Sequence, residues 1–288
     1  MNKYGRLFTK IRIHPLLWII SGLSVITGYF WELLALFSIV FIHEMGHALV
    51  AQFFNWKIKR VMLLPFGGFC DVDEHGNRSM LEDFCVIVGG PLQHLWIAVI
   101  IPVLHMGGLI SADYAQQIAQ YNWMIMIFNL LPIRPLDGGK LVHLYLSTYK
   151  SYLESVRMSV IISFVILLIF HVLVLLIDPF NINIWAILIY LDVCLWTEWK
   201  QQKYMLMRFL LERHFGEQQS ILRLQTIQAD SEDYVFDILS KFKRGYKHLI
   251  DIDGNTEGGF QLDENELLYA YFSEKKVRAR LMDLVYAS

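Results

Sequence analysis

The chain has 288 residues, 55% of them hydrophobic and 18% charged, with a formal net charge of −2 and a mean hydropathy of +0.41. That balance is an integral membrane protein's, and because the positive charges are not pooled on one face it gives no nucleic acid a place to bind. Cys70, Cys85 and Cys194 stand too far apart for a disulfide framework or a CxxC metal knuckle.

Lys3, Arg6, Lys10 and Arg12 precede the first apolar run as in a signal-peptide n-region, but no small-residue cleavage site follows, so an uncleaved helix is expected. Runs near the roughly 20 residues that cross a bilayer extend over Ile13 to Phe30, Leu33 to Phe54, Phe84 to His105, Gln117 to about Arg134, Met158 to Ile177 and Phe180 to Thr197. They predict an α-helical polytopic membrane protein with six transmembrane helices. Up to residue 213, Lys and Arg fall only in segments on one side of this weave, which predicts cytosolic N- and C-termini.

The second run contains His43-Glu44-Met45-Gly46-His47, an H-E-x-x-H pattern. On a helix, residues four apart share a face, so both imidazoles reach one metal ion and Glu44 stands at its edge. Such groups are costly in hydrocarbon and are kept where they bind or catalyse. The next stretch, Val61 to Cys70, is apolar but broken by Pro65, Gly67 and Gly68, and a re-entrant or interfacial loop beside the site is expected there. Phe66, Gly67 and Gly68 could offer a substrate an extended edge.

In the third run, Gly89-Gly90-Pro91 should bend the helix and permit close packing, with His94 one turn later as a polar contact. The fourth run ends in Phe128-Asn129-Leu-Leu-Pro132-Ile-Arg-Pro135-Leu-Asp137-Gly138-Gly139, whose breakers should unwind the helix and hold Asp137 in a non-helical position. Zinc hydrolases commonly use two His and one carboxylate and leave a fourth position for water. Asp137 is the natural third ligand. Its rivals are Glu32 on the opposite side, Asp192 deep in the sixth run, and the solvated pair Glu82-Asp83. The same ligands would also suit a divalent-metal transporter or sensor, in which Glu44 would have no evident task.

These residues carry a resemblance. His43-Glu-Met-Gly-His47 with Asn129-x-x-Pro132-x-x-Pro135-Leu-Asp137-Gly138, and Pro65-Phe-Gly-Gly68 and Gly89-Gly-Pro91 between them, resembles the site-2 protease family of intramembrane zinc metalloproteases over about residues 30 to 145. Where that family often has Asn three residues after Gly-Pro, this chain has His94. The resemblance implies a Zn2+ endopeptidase, with Asn129 positioning substrate or stabilising the oxyanion. The substrate implied is a membrane-associated regulatory protein, a pro-sigma factor, cut in a membrane around the forespore under membrane-bound regulators.

Past Lys200 the composition turns polar. A charged helical linker, 201–219, should lead to a small cytosolic α+β domain, 220–288, after the membrane domain 1–200. Its predicted order is a strand (Ile221 to Ile227), a helix (Asp233 to Phe242), a strand (His248 to Ile252), the turn Asp253-Gly-Asn, a strand (Gly258 to Leu262) and a helix from Asp263. This resembles a CBS domain, which implies an adenine nucleotide such as ATP, although the chain has no Gly-rich phosphate loop there.

Overall fold

The computed structural model describes residues 10–64, 67–72, 78–216, 223–252 and 260–285. A short strand, β1 (Ile11–Ile13), leads into α1 (Pro15–Thr27). The first helix is therefore shorter than expected. His14 caps it by accepting the Leu16 amide, Pro15 supplies a preset φ at the first position, and Gly28 ends it at φ 83°. The 24-residue α2 (Phe30–Phe53) carries the H-E-x-x-H pattern.

The stretch expected as a re-entrant loop forms strands β2 (Ile58–Leu64) and β3 (Gly67–Val72), paired antiparallel, and β1 joins β2 in parallel, giving the order β1-β2-β3. Val61 and Ile58 of β2 share a core with Ala48 and Ala51 of α2 and with Val86 of the next helix, while Cys70 and Val72 pack against it. The sheet thus lies on the face of α2 that carries Glu44.

The third run is two helices, α3 (Met80–Gly89) and α4 (Gln93–Met106), broken where Gly90 and Pro91 stand. Next come α5 (Ala112–Asn129), α6 (Asp137–Ser147), α7 (Tyr152–Ile177) and α8 (Ile182–Phe215). Among the described residues, four stretches are long and apolar enough to cross a membrane: α2, α3 with α4, α7 and α8. By contrast α1, with 13 residues, is only about 20 Å long. Outward apolar side chains such as Phe164, Leu168, Leu175 and Leu176 are exposed along α7, as lipid-facing surface requires.

Asp137 is not held outside a helix as expected. Residues 130–136 do unwind, but Asp137 is the first residue of α6, where a carboxylate is favoured by the helix dipole. The unwound loop is pinned from α7 and α8: the Arg134 amide donates to Ser163 Oγ at 2.9 Å and its guanidinium meets Glu198 at 2.8 Å.

The expected linker is, as far as residue 215, the end of α8. It contributes Leu206, Phe209 and Leu210 to the core of the tail, together with Tyr152 and Val156 of α7. The tail itself contains β4 (Arg223–Ala229), α9 (Val235–Ser240), β5 (Tyr246–Ile252), β6 (Phe260–Asp263), α10 (Glu264–Phe272) and α11 (Met282–Val285). The strand order is β4-β5-β6, the first pair parallel and the second antiparallel. The turn expected at Asp253 lies outside the described residues.

A buried charge network crosses the tail. Arg213 of α8 meets Glu264 at 2.6 and 3.0 Å, and Glu264 accepts the Nδ1–H of His248 at 3.0 Å. Nε2 of His248 accepts the Lys243 amide at 3.0 Å, so the imidazole is neutral. Burial lowers the His248 pKa from the ordinary 6.5, against the opposing pull of Glu264. Burial raises Glu264, but the His248 hydrogen bond and the Arg213 charge outweigh it and hold the carboxyl below its ordinary 4.5.

Both shifts mean that the unfolded tail binds more protons than the folded one, so stability rises with pH. The tail should therefore begin to weaken as pH falls through 6.5, and weaken again as it falls below 4.5 and Glu264 protonates. Thermal unfolding followed by hydrogen exchange at stepped pH measures this, and His248→Gln should remove the first step and shrink the second, which then rests on Arg213.

Candidate metal centre

Helical spacing on α2 brings His43 and His47 to the same face, and the start of α6 delivers Asp137 against them. His43 Nε2 lies 3.1 Å from Asp137 Oδ2, His47 Nε2 lies 3.1 Å from the same oxygen, and the two Nε2 atoms are 3.1 Å apart. All three residues are buried. A triangle with 3.1 Å edges has its centre about 1.8 Å from each corner. That spacing suits an ion at the roughly 2.0–2.1 Å of zinc ligation, which the two imidazoles and the carboxylate would hold.

The hydrogen bonds behind the ligands fix their protons. Nδ1 of His47 donates to the Val86 carbonyl at 2.8 Å, which leaves Nε2 as a lone pair. Nδ1 of His43 faces Nε2 of His94 at 3.0 Å, and Nδ1 of His94 faces Asn122 Oδ1 at 2.8 Å. The Asn122 amide in turn donates to the His94 carbonyl at 3.0 Å. With the amide oriented that way, its oxygen must accept from His94 Nδ1–H, so His94 Nε2 must accept from His43 Nδ1–H. His43 Nε2 is then free to ligate. On Asp137 the second oxygen, Oδ1, accepts from the exposed Lys140 at 2.9 Å.

Close packing makes this arrangement possible. A Cβ on Gly90 would lie 2.3 Å from His47 Nε2 and 2.8 Å from His43 Nε2, and one on Gly46 would lie 2.3 Å from the Gly89 carbonyl. Glu44 is buried beside the ligands, and its side chain rests on β3, where a Cβ at Gly68 would be 2.5 Å from Glu44 Cγ.

Sequence-expected residues divide accordingly. His43, His47 and Asp137 converge, Glu44 adjoins them, and Gly67 and Gly68 open β3 at its side. Phe66 lies outside the described residues. Asn129 ends α5 with its amide turned to the Ile125 carbonyl at 3.0 Å, not onto the triad. Asp192 pairs instead with His171 at 3.2 Å. Asn122 and Lys140 are additions; Lys140 stands three residues after Asp137, a spacing that could have pointed to it, whereas Asn122 sits in a run of mixed polarity that marks no partner.

A buried two-His, one-carboxylate cluster with an adjoining glutamate, in a chain with several apolar helices, is the site expected of an intramembrane zinc peptidase. Residues 31–109 and 108–173 match the model of Peptidase family M50. The chain belongs to that family, the site-2 proteases, and is a zinc metalloendopeptidase. It is 42% identical to Stage IV sporulation protein FB of Bacillus subtilis over 99% of both chains. It is also 31% identical to a zinc metalloprotease of Methanocaldococcus jannaschii over 49% of this chain and 42% of that one. The solved Site-2 Protease from Methanocaldococcus jannaschii superimposes with a TM-score of 0.53 at 27% identity, covering 65% of this chain and 89% of that one.

The hydrogen bonds behind His43 should govern metal affinity. His94→Leu is expected to weaken zinc binding about 10- to 100-fold, the usual cost of losing such a partner. Gly90→Ala should abolish binding by pushing on both imidazoles. Competition against a chromophoric chelator, with purified protein in detergent, measures both.

Proposed function

We propose that His43, His47 and Asp137 hold the zinc and that Glu44 is the general base of peptide hydrolysis, beside a strand edge that presents the substrate. The observation that carries this reading is the position of Glu44 between the ligand cluster and Gly68. Zinc, when bound, supplies Lewis acidity that eases deprotonation of a water and polarises a carbonyl. Glu44 takes the water's proton and passes it to the leaving amine. Asp137 and Lys140 balance the charge of the pocket. Among the described residues the outer edge of β3 has no partner strand. An unwound substrate adding to that edge would run past Glu44, with Phe66, Gly67 and Gly68 shaping its entry. Asn129, by family resemblance, would position substrate or stabilise the oxyanion after its amide turns from Ile125.

The same reading gives six membrane crossings with both termini cytosolic, α1 and α5 joining the four longer stretches, and places the β2–β3 hairpin as a re-entrant element at the cytosolic side. The tail is read as a CBS-like domain that includes the end of α8. An adenine nucleotide would use the open cleft of about 750 Å³ lined by Phe260, Tyr269 and Lys276. Glu266 and Glu274 in the same wall oppose its phosphates. The likeness to a sporulation protein over the full chain supports a pro-sigma factor, pro-sigma-K, as substrate, a membrane around the forespore as location, and membrane-bound regulatory partners.

Glu44→Gln keeps the shape but not the base, so cleavage should fall by about 10²- to 10⁴-fold with zinc retained. Asp137→Asn should lose both metal and activity, whereas Asp192→Asn should change little. Metal content and cleavage of a candidate pro-sigma substrate by the pure variants decide these roles; a metal-free Asp192→Asn protein would reassign the third ligand.

A further inference from the structure

Arg244 lies in the turn between α9 and β5, is 3% exposed, and reaches out of the tail. One Nη atom donates to the Asp83 carboxylate of α3. The other donates at 2.9 Å to the carbonyl of Arg78, just before that helix. Within the tail the turn is tightly held. Arg213 donates to the carbonyls of Lys243 and Tyr246, His248 accepts the Lys243 amide, and Glu264 fixes both Arg213 and His248. A buried ion network of this kind contributes little net stability, but this one sets where Arg244 points.

At the receiving end, Asp83, Val86 and Gly90 are spaced at i, i+3 and i+7, so they form one stripe along α3 and its end. The Val86 carbonyl orients His47, and Gly90 lies against both imidazoles with no room for even a methyl group. A small axial slide of α3 therefore changes the ligand geometry directly. A second tie runs from Arg208 of α8 to the carbonyl of Val72, at the end of β3, at 3.4 Å.

We propose that Arg244 is a positioning residue for the metal centre: through Asp83 and the Arg78 carbonyl it sets the axial position of α3, and with it the carbonyl that orients His47. The planar guanidinium fixes direction as well as distance, because its two donors engage two separate acceptors. A lysine ammonium at the same place would hold the charge but not the helix. The inference rests on His43, His47 and Asp137 being the ligands.

The test uses the full chain in lipid nanodiscs, loaded with Co2+ in place of zinc so that visible absorption reports ligand geometry. Arg244→Gln, Arg244→Lys and Asp83→Asn should each shift the cobalt bands and speed metal release to a chelator by about tenfold, the lower end of what outer partners of metal ligands control. In the zinc form they should lower kcat with KM unchanged. Arg280→Gln, which breaks the exposed pair with Glu232 on the tail, should match wild type. Asp83→Asn leaves the tail's interior untouched, so a misfolded tail cannot produce its effect. Wild-type bands and release rates in the Arg244 and Asp83 variants, with or without a raised KM, would overturn the proposal. Wild-type protein that binds neither ion would overturn the ligand assignment and this proposal with it.

Discussion

Three lone pairs meet at the centre of this molecule, each 3.1 Å from the other two, and none can carry a proton if an ion is to sit between them. That condition propagates outward. Each imidazole must keep its proton on Nδ1, and each Nδ1–H, being buried, must find an acceptor. For His47 this is a helix carbonyl, so α3 has to approach α2 closely enough for Gly46 and Gly89 to touch. For His43 it is another imidazole, whose own proton is directed by Asn122. The packing of α2 with α3, α4 and α5 follows from placing these three protons correctly.

The same constraint bears on why the proposed base lies beside a sheet. As the proposed base, Glu44 would have to stand off the face that carries His43 and His47, and it is turned towards β3, where Gly68 makes room. A β-strand edge offers unpaired carbonyl and amide groups, which is what a substrate leaving its helix needs to satisfy its own backbone. On the proposed reading, hydrolysis of a peptide bond would depend on one glycine in a strand as well as on the charged groups around it.

Much of this was legible in the sequence, for reasons of spacing and composition. Two His four apart, a carboxylate framed by Pro132, Pro135, Gly138 and Gly139, and long apolar runs are signals of local spacing and composition, and the structure brings the first two together. The tail's strand and helix order also follows from its pattern. Less legible were features set by partners distant in the chain. Ile13 reads as the start of a helix and Ile11 and Arg12 as its flank, because three residues carry no period; they become a strand only because β2 lies alongside. Asp137 looked non-helical because breakers surround it, yet a carboxylate after Pro-Leu also opens a helix. The composition shift at Lys200 suggested a linker, although Leu206, Phe209 and Leu210 form a helical stripe that could have shown the burial.

That stripe belongs to a helix of 34 residues, about 51 Å long at 1.5 Å per residue, which begins among lipid-facing side chains and ends inside the tail. A rigid shaft of this kind transmits rotation. Inserting a single residue near Lys200 would turn everything beyond it by about 100° and lift it by about 1.5 Å, swinging the Arg244 turn away from α3. Inserting seven would nearly restore the facing direction while moving the tail about 10 Å outward. Along this helix the exposed positions are free to drift in sequence but the length is not, so gaps in α8 should be rarer among its relatives than the polar composition of the segment would suggest.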